Sequence, residues 1–159
     1  MFRPPLLAAL LAALHLIPAH AGDYCVLDGT EMFACTFKNG AKRIEVCDAA
    51  WLAGDMVSYG FLDARGTVEK ETVLDKASLP YIPWSGVGGS ATGSVIFPSG
   101  DHLYGVWMAS ERVPDGEVEG GINVARDGAE IARLTCDPGS VTGDLPALID
   151  MIDTAQISP

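Results

Sequence analysis

Phe33-Ala34-Cys35-Thr36-Phe37-Lys38-Asn39-Gly40-Ala41-Lys42-Arg43-Ile44-Glu45-Val46-Cys47 alternates apolar with polar residues, breaks at Asn-Gly, and alternates again. Alternation has the two-residue period of a strand, and Asn-Gly suits a type I′ turn because both central residues need positive φ. The stretch therefore predicts a β-hairpin with Phe37 opposite Lys42, Cys35 opposite Ile44 and Phe33 opposite Val46. One side then carries Phe33, Cys35, Phe37, Ile44 and Val46 and is the core face. The other carries Ala34, Thr36, Lys38, Arg43 and Glu45 and is expected to be wet.

Outward from the hairpin, four cysteines, Cys25, Cys35, Cys47 and Cys136, imply two disulfides and an oxidising compartment. Cys35 and Cys47 fall on opposite faces of an unbroken hairpin, so a direct bond would need a bulge. The spacings do not resemble the paired Cys-x₂₋₄-Cys of a zinc site. The start of the chain agrees with that compartment. After Arg3, the run Leu6 to Ile17 is apolar but too short to span a bilayer, and Ala19-His20-Ala21 fits small-x-small cleavage. Residues 1–21 are read as a secretory signal, cleaved after Ala21. No Leu-small-small motif precedes Cys25, which argues against a lipid anchor.

The mature part, residues 22–159, has the size of a single domain. Arg3 is the one charge in residues 1–21, so processing takes Lys plus Arg from 10 to nine against 21 Asp plus Glu, and the net charge from −11 to −12. So acidic a chain is a poor partner for nucleic acid or anionic lipid, and its field favours a cationic partner.

Strand patterns continue along the chain. Tyr24 to Leu27 reads as a first strand. Met56 to Leu62 and Thr67 to Leu74 form a second hairpin around Asp63-Ala64-Arg65-Gly66, whose charged return strand, Val68 to Thr72, suits a sheet edge. Ser78 to Gly93 lacks periodicity and reads as a long crossing loop. A third hairpin joins Ser94 to Phe97 with His102 to Met108, the latter apolar on both faces and therefore central. Glu111 to Glu119 reads as an acidic loop. A fourth hairpin joins Ile122 to Ala125 with Glu130 to Cys136. A three-residue loop at Asp127-Gly128-Ala129 sets Ile122 against Leu134, Val124 against Ala132 and Gly120 against Cys136. Cys136 then joins Cys35 on the core side, which favours Cys35–Cys136 with Cys25–Cys47. Asp144 caps a C-terminal helix whose Leu145, Leu148, Ile149 and Ile152 keep helical spacing. Four hairpins without intervening helices predict an all-β fold, an antiparallel sandwich or a partly open barrel.

Chemistry is sparse by contrast. His102, the one histidine of the mature part, sits beside Asp101 at a turn, but no Gly-x-Ser-x-Gly elbow accompanies it. Gly86-Val87-Gly88-Gly89-Ser90-Ala91 matches a dinucleotide-loop pattern yet leads towards a strand. Asp115, Glu117 and Glu119 lack EF-hand spacing. No catalytic residue, metal or cofactor is assigned. Tyr81 and Trp84 stand out because they lie among prolines and glycines, where no strand pattern buries them, and such aromatics make contact anchors. The alternative is that Trp84 plugs one end of the sandwich.

Cys35 to Cys47, Tyr59-Gly60-Phe61, Trp84-Ser85-Gly86-Val87-Gly88, Gly121-Ile122-Asn123-Val124 and Leu134-Thr135-Cys136 together resemble a group of secreted or periplasmic proteobacterial proteins. That resemblance implies a small disulfide-bearing β-domain and carries no assigned activity. More loosely, an acidic β-domain with cysteines near both ends is similar to the bacterial periplasmic lysozyme inhibitors, whose Ser-Gly-x-x-Tyr loop enters the enzyme's cleft. Ser85-Gly86-Val87-Gly88 keeps the Ser-Gly and lacks the tyrosine. The expectation is a non-catalytic, monomeric binding domain in the periplasm or outside the cell. It takes a cationic protein such as a lysozyme through Tyr81, Trp84, Ser85, Gly86 and Gly88, aided by Asp115, Glu117 and Glu119. The competing expectations are an envelope assembly component and a small hydrolase.

Overall fold

The alternation around Asn39-Gly40 becomes a hairpin in the computed structural model, which describes residues 24–25, 29–50 and 52–157. The expected signal segment, residues 26–27 of the expected first strand, and Trp51 lie outside the described residues. β1 (Thr30–Phe37) and β2 (Lys42–Asp48) pair with Phe37 opposite Lys42, Cys35 opposite Ile44 and Phe33 opposite Val46. Asn39 and Gly40 take φ of 56° and 81°, as a type I′ turn requires, and Lys38 takes 56° as well.

β3 (Met56–Asp63) and β4 (Val68–Asp75) extend this hairpin into a four-stranded meander in the order β1-β2-β3-β4. A 3-10 turn, Lys76–Ser78, leads into the second sheet, where β5 (Tyr81–Ile82), β6 (Ser90–Ser99), β7 (His102–Glu111), β8 (Val118–Arg126) and β9 (Ala129–Thr135) lie side by side. β7 is central, as its two apolar faces require. All pairings are antiparallel, and the two sheets stack as a sandwich rather than closing into a barrel.

The core forms where the two inner faces meet. Phe33, Cys35, Phe37, Ile44, Val46, Val57 and Tyr59 of the first sheet are buried with Val95, Phe97, Val106 and Ile122 of the second. The Tyr59 ring lies 5.3 Å from Phe97 and 6.0 Å from Tyr104. The Cys35–Cys136 disulfide stitches the two sheets, and Cys25–Cys47 ties the N-terminal segment to β2. Helix α1 (Leu145–Ile157) starts with Asp144 accepting the Ala147 N–H at 3.0 Å, and buries Leu145, Leu148, Ile149 and Ile152 across the end of the core.

Four sequence expectations are corrected. Tyr24 and Cys25 are helical, not extended. The face of β2 expected to be wet holds Glu45 at 0% exposure, because Tyr24 lies over Gly60, the residue opposite Glu45. The buried carboxylate is satisfied by the Cys25 N–H at 3.1 Å and Arg43 Nε at 2.6 Å. Ala34 on the same face is buried where Thr142 exchanges two backbone bonds with it. The Ser78 to Gly93 stretch contains β5 and the first four residues of β6. Finally, the β8–β9 turn is the two residues Asp127 and Gly128, with φ of 52° and 77°. A register shift between Val124 and Ala125 absorbs the difference, so Ile122 still faces Leu134 and Val124 still faces Ala132.

Among the described residues no helix is long and apolar enough to cross a membrane.

Candidate functional site

Pro83 decides where the site begins. It follows the two residues of β5, has no N–H to give to a ladder, and turns the chain outward into a loop that returns at Ser90. Gly86 and Gly88 carry φ of 80° and 107°, which only glycine adopts freely, so the loop bends back on itself. Trp84 is held there by its indole N–H, which donates to the Val87 carbonyl at 3.3 Å, and by the Arg112 guanidinium 4.6 Å above its ring. Arg112 also donates its backbone N–H to Gly89 at 2.9 Å and a guanidinium N–H to Gly88 at 3.3 Å. Two loops, 83–89 and 112–117, are thus fastened through one arginine.

Trp84 remains 36% exposed, so it is not a buried plug. Its inner edge walls a groove of about 280 Å³, floored by Ala91 and Gly93 of β6 and bounded by Met108, Ile149 and Pro146. The groove lies between the core-side residues of β6 and β7 and the first turns of α1. Gly93 permits the close approach: a Cβ there would lie 2.7 Å from Ile149 Cδ1. Asp150 stands at the rim, and Ser110 is shared with a second recess lined by Ser90, Glu111, Glu117 and Glu119. Ile82, Val87 and Val113 are exposed on the same two loops and the adjoining strand.

The expected site residues are therefore only partly brought together. Trp84 borders the groove, and Glu117 and Glu119 line the neighbouring recess. Ser85, Gly86 and Gly88 form the exposed arch of the loop. Asp115, with φ of 56°, turns the acidic loop without lining either cavity. Tyr81 is a strand residue paired with Val95, and its hydroxyl donates to Asp153 of α1. That bond, with partial desolvation, raises its pKa above the ordinary tyrosine value. Tyr81 is a strut between sheet and helix rather than a free contact. The sequence reading missed Ala91, Gly93, Met108, Ile149 and Asp150. A signal was present, since Ala91, Gly93, Val95 and Phe97 alternate with Thr92, Ser94, Ile96 and Pro98, so the strand pattern starts at Ser90.

At the opposite end of the second sheet, His102 Nδ1 lies 2.6 Å from Asp101, and its ring stacks on Tyr104. Ser99, across the turn, accepts from Lys70 Nζ at 3.0 Å rather than from His102. No group of three or more His, Cys, Asp or Glu side chains is arranged to hold a metal ion among the described residues.

Fold and site together define a disulfide-bonded β-sandwich with an apolar groove beneath an aromatic loop. Comparison of the chain with protein-family models, with curated proteins and with solved structures found no match.

Proposed function

We propose that this is an exported, non-catalytic binding domain of the periplasm or extracellular space, which takes a cationic protein through the Trp84 loop in the manner of a lysozyme inhibitor. One observation carries the reading. Trp84 is partly exposed, is fixed by Arg112 and Val87, and borders an apolar groove, while Glu111, Glu117 and Glu119 line a recess on the other face of the same sheet. A rigid aromatic loses little conformational entropy on contact, which is why such residues dominate binding energy. The surrounding acids and the net charge of −11 of the whole chain speed encounter with a basic surface. Two disulfides suit a protein working outside the reducing cytoplasm.

The test is capture of lysozyme and of periplasmic proteins by the oxidised, exported protein and by its Trp84→Ala variant, at low and moderate salt. Binding that weakens with salt and falls by about 30-fold in the variant supports the reading. No captured cationic protein, or capture indifferent to Trp84, overturns it.

A further inference from the structure

Most outer strand edges of the two sheets are guarded. Along β1 the main chain closes the edge: Ala34 exchanges both backbone bonds with Thr142, while Thr36 gives its N–H to Ser140 Oγ at 3.2 Å and accepts the Asp137 N–H at 2.8 Å. β4 presents Glu69, Lys70 and Glu71, and β9 presents Glu130 and Arg133, the charges that discourage strand addition. β6 is treated differently. β5 shields it only opposite Ser94 and Val95, with Pro80 accepting the Ile96 N–H at 2.8 Å, and then departs at Pro83. β6 continues for Ser90, Ala91, Thr92 and Gly93, paired with β7 alone.

The direction of the free groups follows from those bonds. Because Ile96 donates to Pro80, even-numbered residues of β6 turn their backbone groups towards the β5 side. The bond from the Arg112 N–H to the Gly89 carbonyl sends odd-numbered residues towards β7. Ser90 and Thr92 therefore aim N–H and C=O at the unshielded edge. Side chains alternate in the other sense: Ala91 and Gly93 face the core side and floor the groove. A chain laid along this edge would form backbone bonds to Ser90 and Thr92 and drop the side chain opposite Ala91 into the space between Trp84, Met108 and Ile149.

The geometry points to strand addition at β6. An extended, basic peptide segment of the partner pairs with Ser90–Gly93 and inserts one large apolar side chain into the groove. The occupant is basic because acids border the seat on both faces of the sheet. Asp150 lies at the groove's rim, Glu111 is opposite Ser90, and Glu117 and Glu119 line the recess beyond Ser110. Of the cations near the seat, the Arg112 guanidinium is held by Trp84 and the Gly88 carbonyl, and Lys76, which shares a recess with Asp150, is paired with Asp48 and Asp55. This inference rests on the proposed binding role of the Trp84 loop and adds how the partner's backbone is held.

The experiment titrates the oxidised, isotope-labelled protein with an acetylated, amidated heptapeptide, Lys-Thr-Lys-Leu-Lys-Thr-Lys, and follows its amide and methyl signals. Three analogues accompany it: Ala for the central Leu, N-methyl groups on the two flanking residues, and Glu for every Lys. Expected are shifts centred on Ser90 to Gly93, Met108 and Ile149, and affinity lower by about tenfold for each analogue. Thr92→Pro removes the outward N–H and leaves the ladder to β7 intact, so it should weaken the peptide by about tenfold with little change in thermal midpoint. N-methylation tests the same bonds without altering the protein, should that variant fold poorly. Equal binding of the N-methylated and parent peptides overturns strand addition. So does a concentration-dependent dimer abolished by Thr92→Pro, which would make a second copy the occupant. If lysozyme capture depends on Trp84 but not on Thr92, the binding role stands and this inference falls. If capture fails while the peptide binds at β6, the reverse holds.

Discussion

The carboxylate of Asp137 accepts the backbone N–H of Asn39 at 2.9 Å, tying the residue after the second disulfide to the turn of the first hairpin across 98 residues of chain. The same carboxylate accepts the Gly40 N–H at 2.9 Å and the Thr36 hydroxyl at 2.8 Å. Positive φ at Lys38, Asn39 and Gly40 brings successive N–H groups to one side, making a concavity suited to an anion.

These bonds favour the ionised form, the Asn39 N–H foremost and Thr36 next, and hold the Asp137 pKa below its ordinary 3.8. A depressed carboxylate contributes stability that is fully present above the unfolded pKa and is lost as pH falls through the folded one. Asp137→Asn should therefore be less stable than wild type at pH 7, with the gap closing as pH drops below about 3.8. Urea midpoints between pH 7 and pH 2 check it, and a gap constant with pH would refute the assignment.

Lys76 is 2% exposed, and its ammonium bridges Asp48 at 2.7 Å and Asp55 at 2.6 Å. Burial disfavours the charge, but the two carboxylates outweigh it and hold the pKa above 10.5. Lys76→Met should destabilise by about 2 kcal/mol at pH 7, because it strands the largely buried Asp48 and removes the cation that also offsets exposed Asp55. For a raised pKa the stabilisation is present below the unfolded value and fades as pH rises through the folded one, so the penalty should shrink above about pH 10.5. Chemical denaturation at pH 7 and pH 11 measures both.

Gly121 has no room for a methyl group. A Cβ there would lie 2.2 Å from the Leu134 carbonyl and 2.9 Å from Trp107 Nε1. The carbonyl belongs to the β8–β9 ladder and has little freedom to move, so Gly121→Ala should cost about 3 kcal/mol. Gly128→Ala meets no neighbour within 4 Å and is strained only through its φ of 77°, so it should cost less, about 1 kcal/mol. Thermal midpoints of the two variants, compared with wild type, test that order.

The two disulfides close loops of very different length, 101 residues for Cys35–Cys136 and 22 for Cys25–Cys47. Chain-entropy arguments give about 4.7 kcal/mol for a loop near 100 residues and about 3 kcal/mol for the shorter one. Replacing Cys35 and Cys136 by Ser should lower the denaturation midpoint more than replacing Cys25 and Cys47. The opposite order would mean that covering Glu45 matters more than joining the sheets.

Features that rest on local periodicity and turn chemistry were legible in the sequence. Alternation with Asn39-Gly40 set the first hairpin and its register, the apolar helical spacing after Asp144 set the cap and buried face of α1, and the opposite orientation of Cys35 and Cys47 favoured the observed disulfide pairing. What lies against each face and edge depends on packing between distant segments. Glu45 alternates like a solvent residue, yet it is buried because a segment twenty residues earlier folds over it. Tyr81 and Trp84 look alike as loop aromatics, but an acid on α1 captures one and leaves the other at a groove. That groove draws on β6, β7 and α1, whose meeting depends on where β5 ends and how α1 packs against β6. Such long-range distances leave no period in the chain, because they arise from packing between segments rather than from the backbone preferences of any one of them.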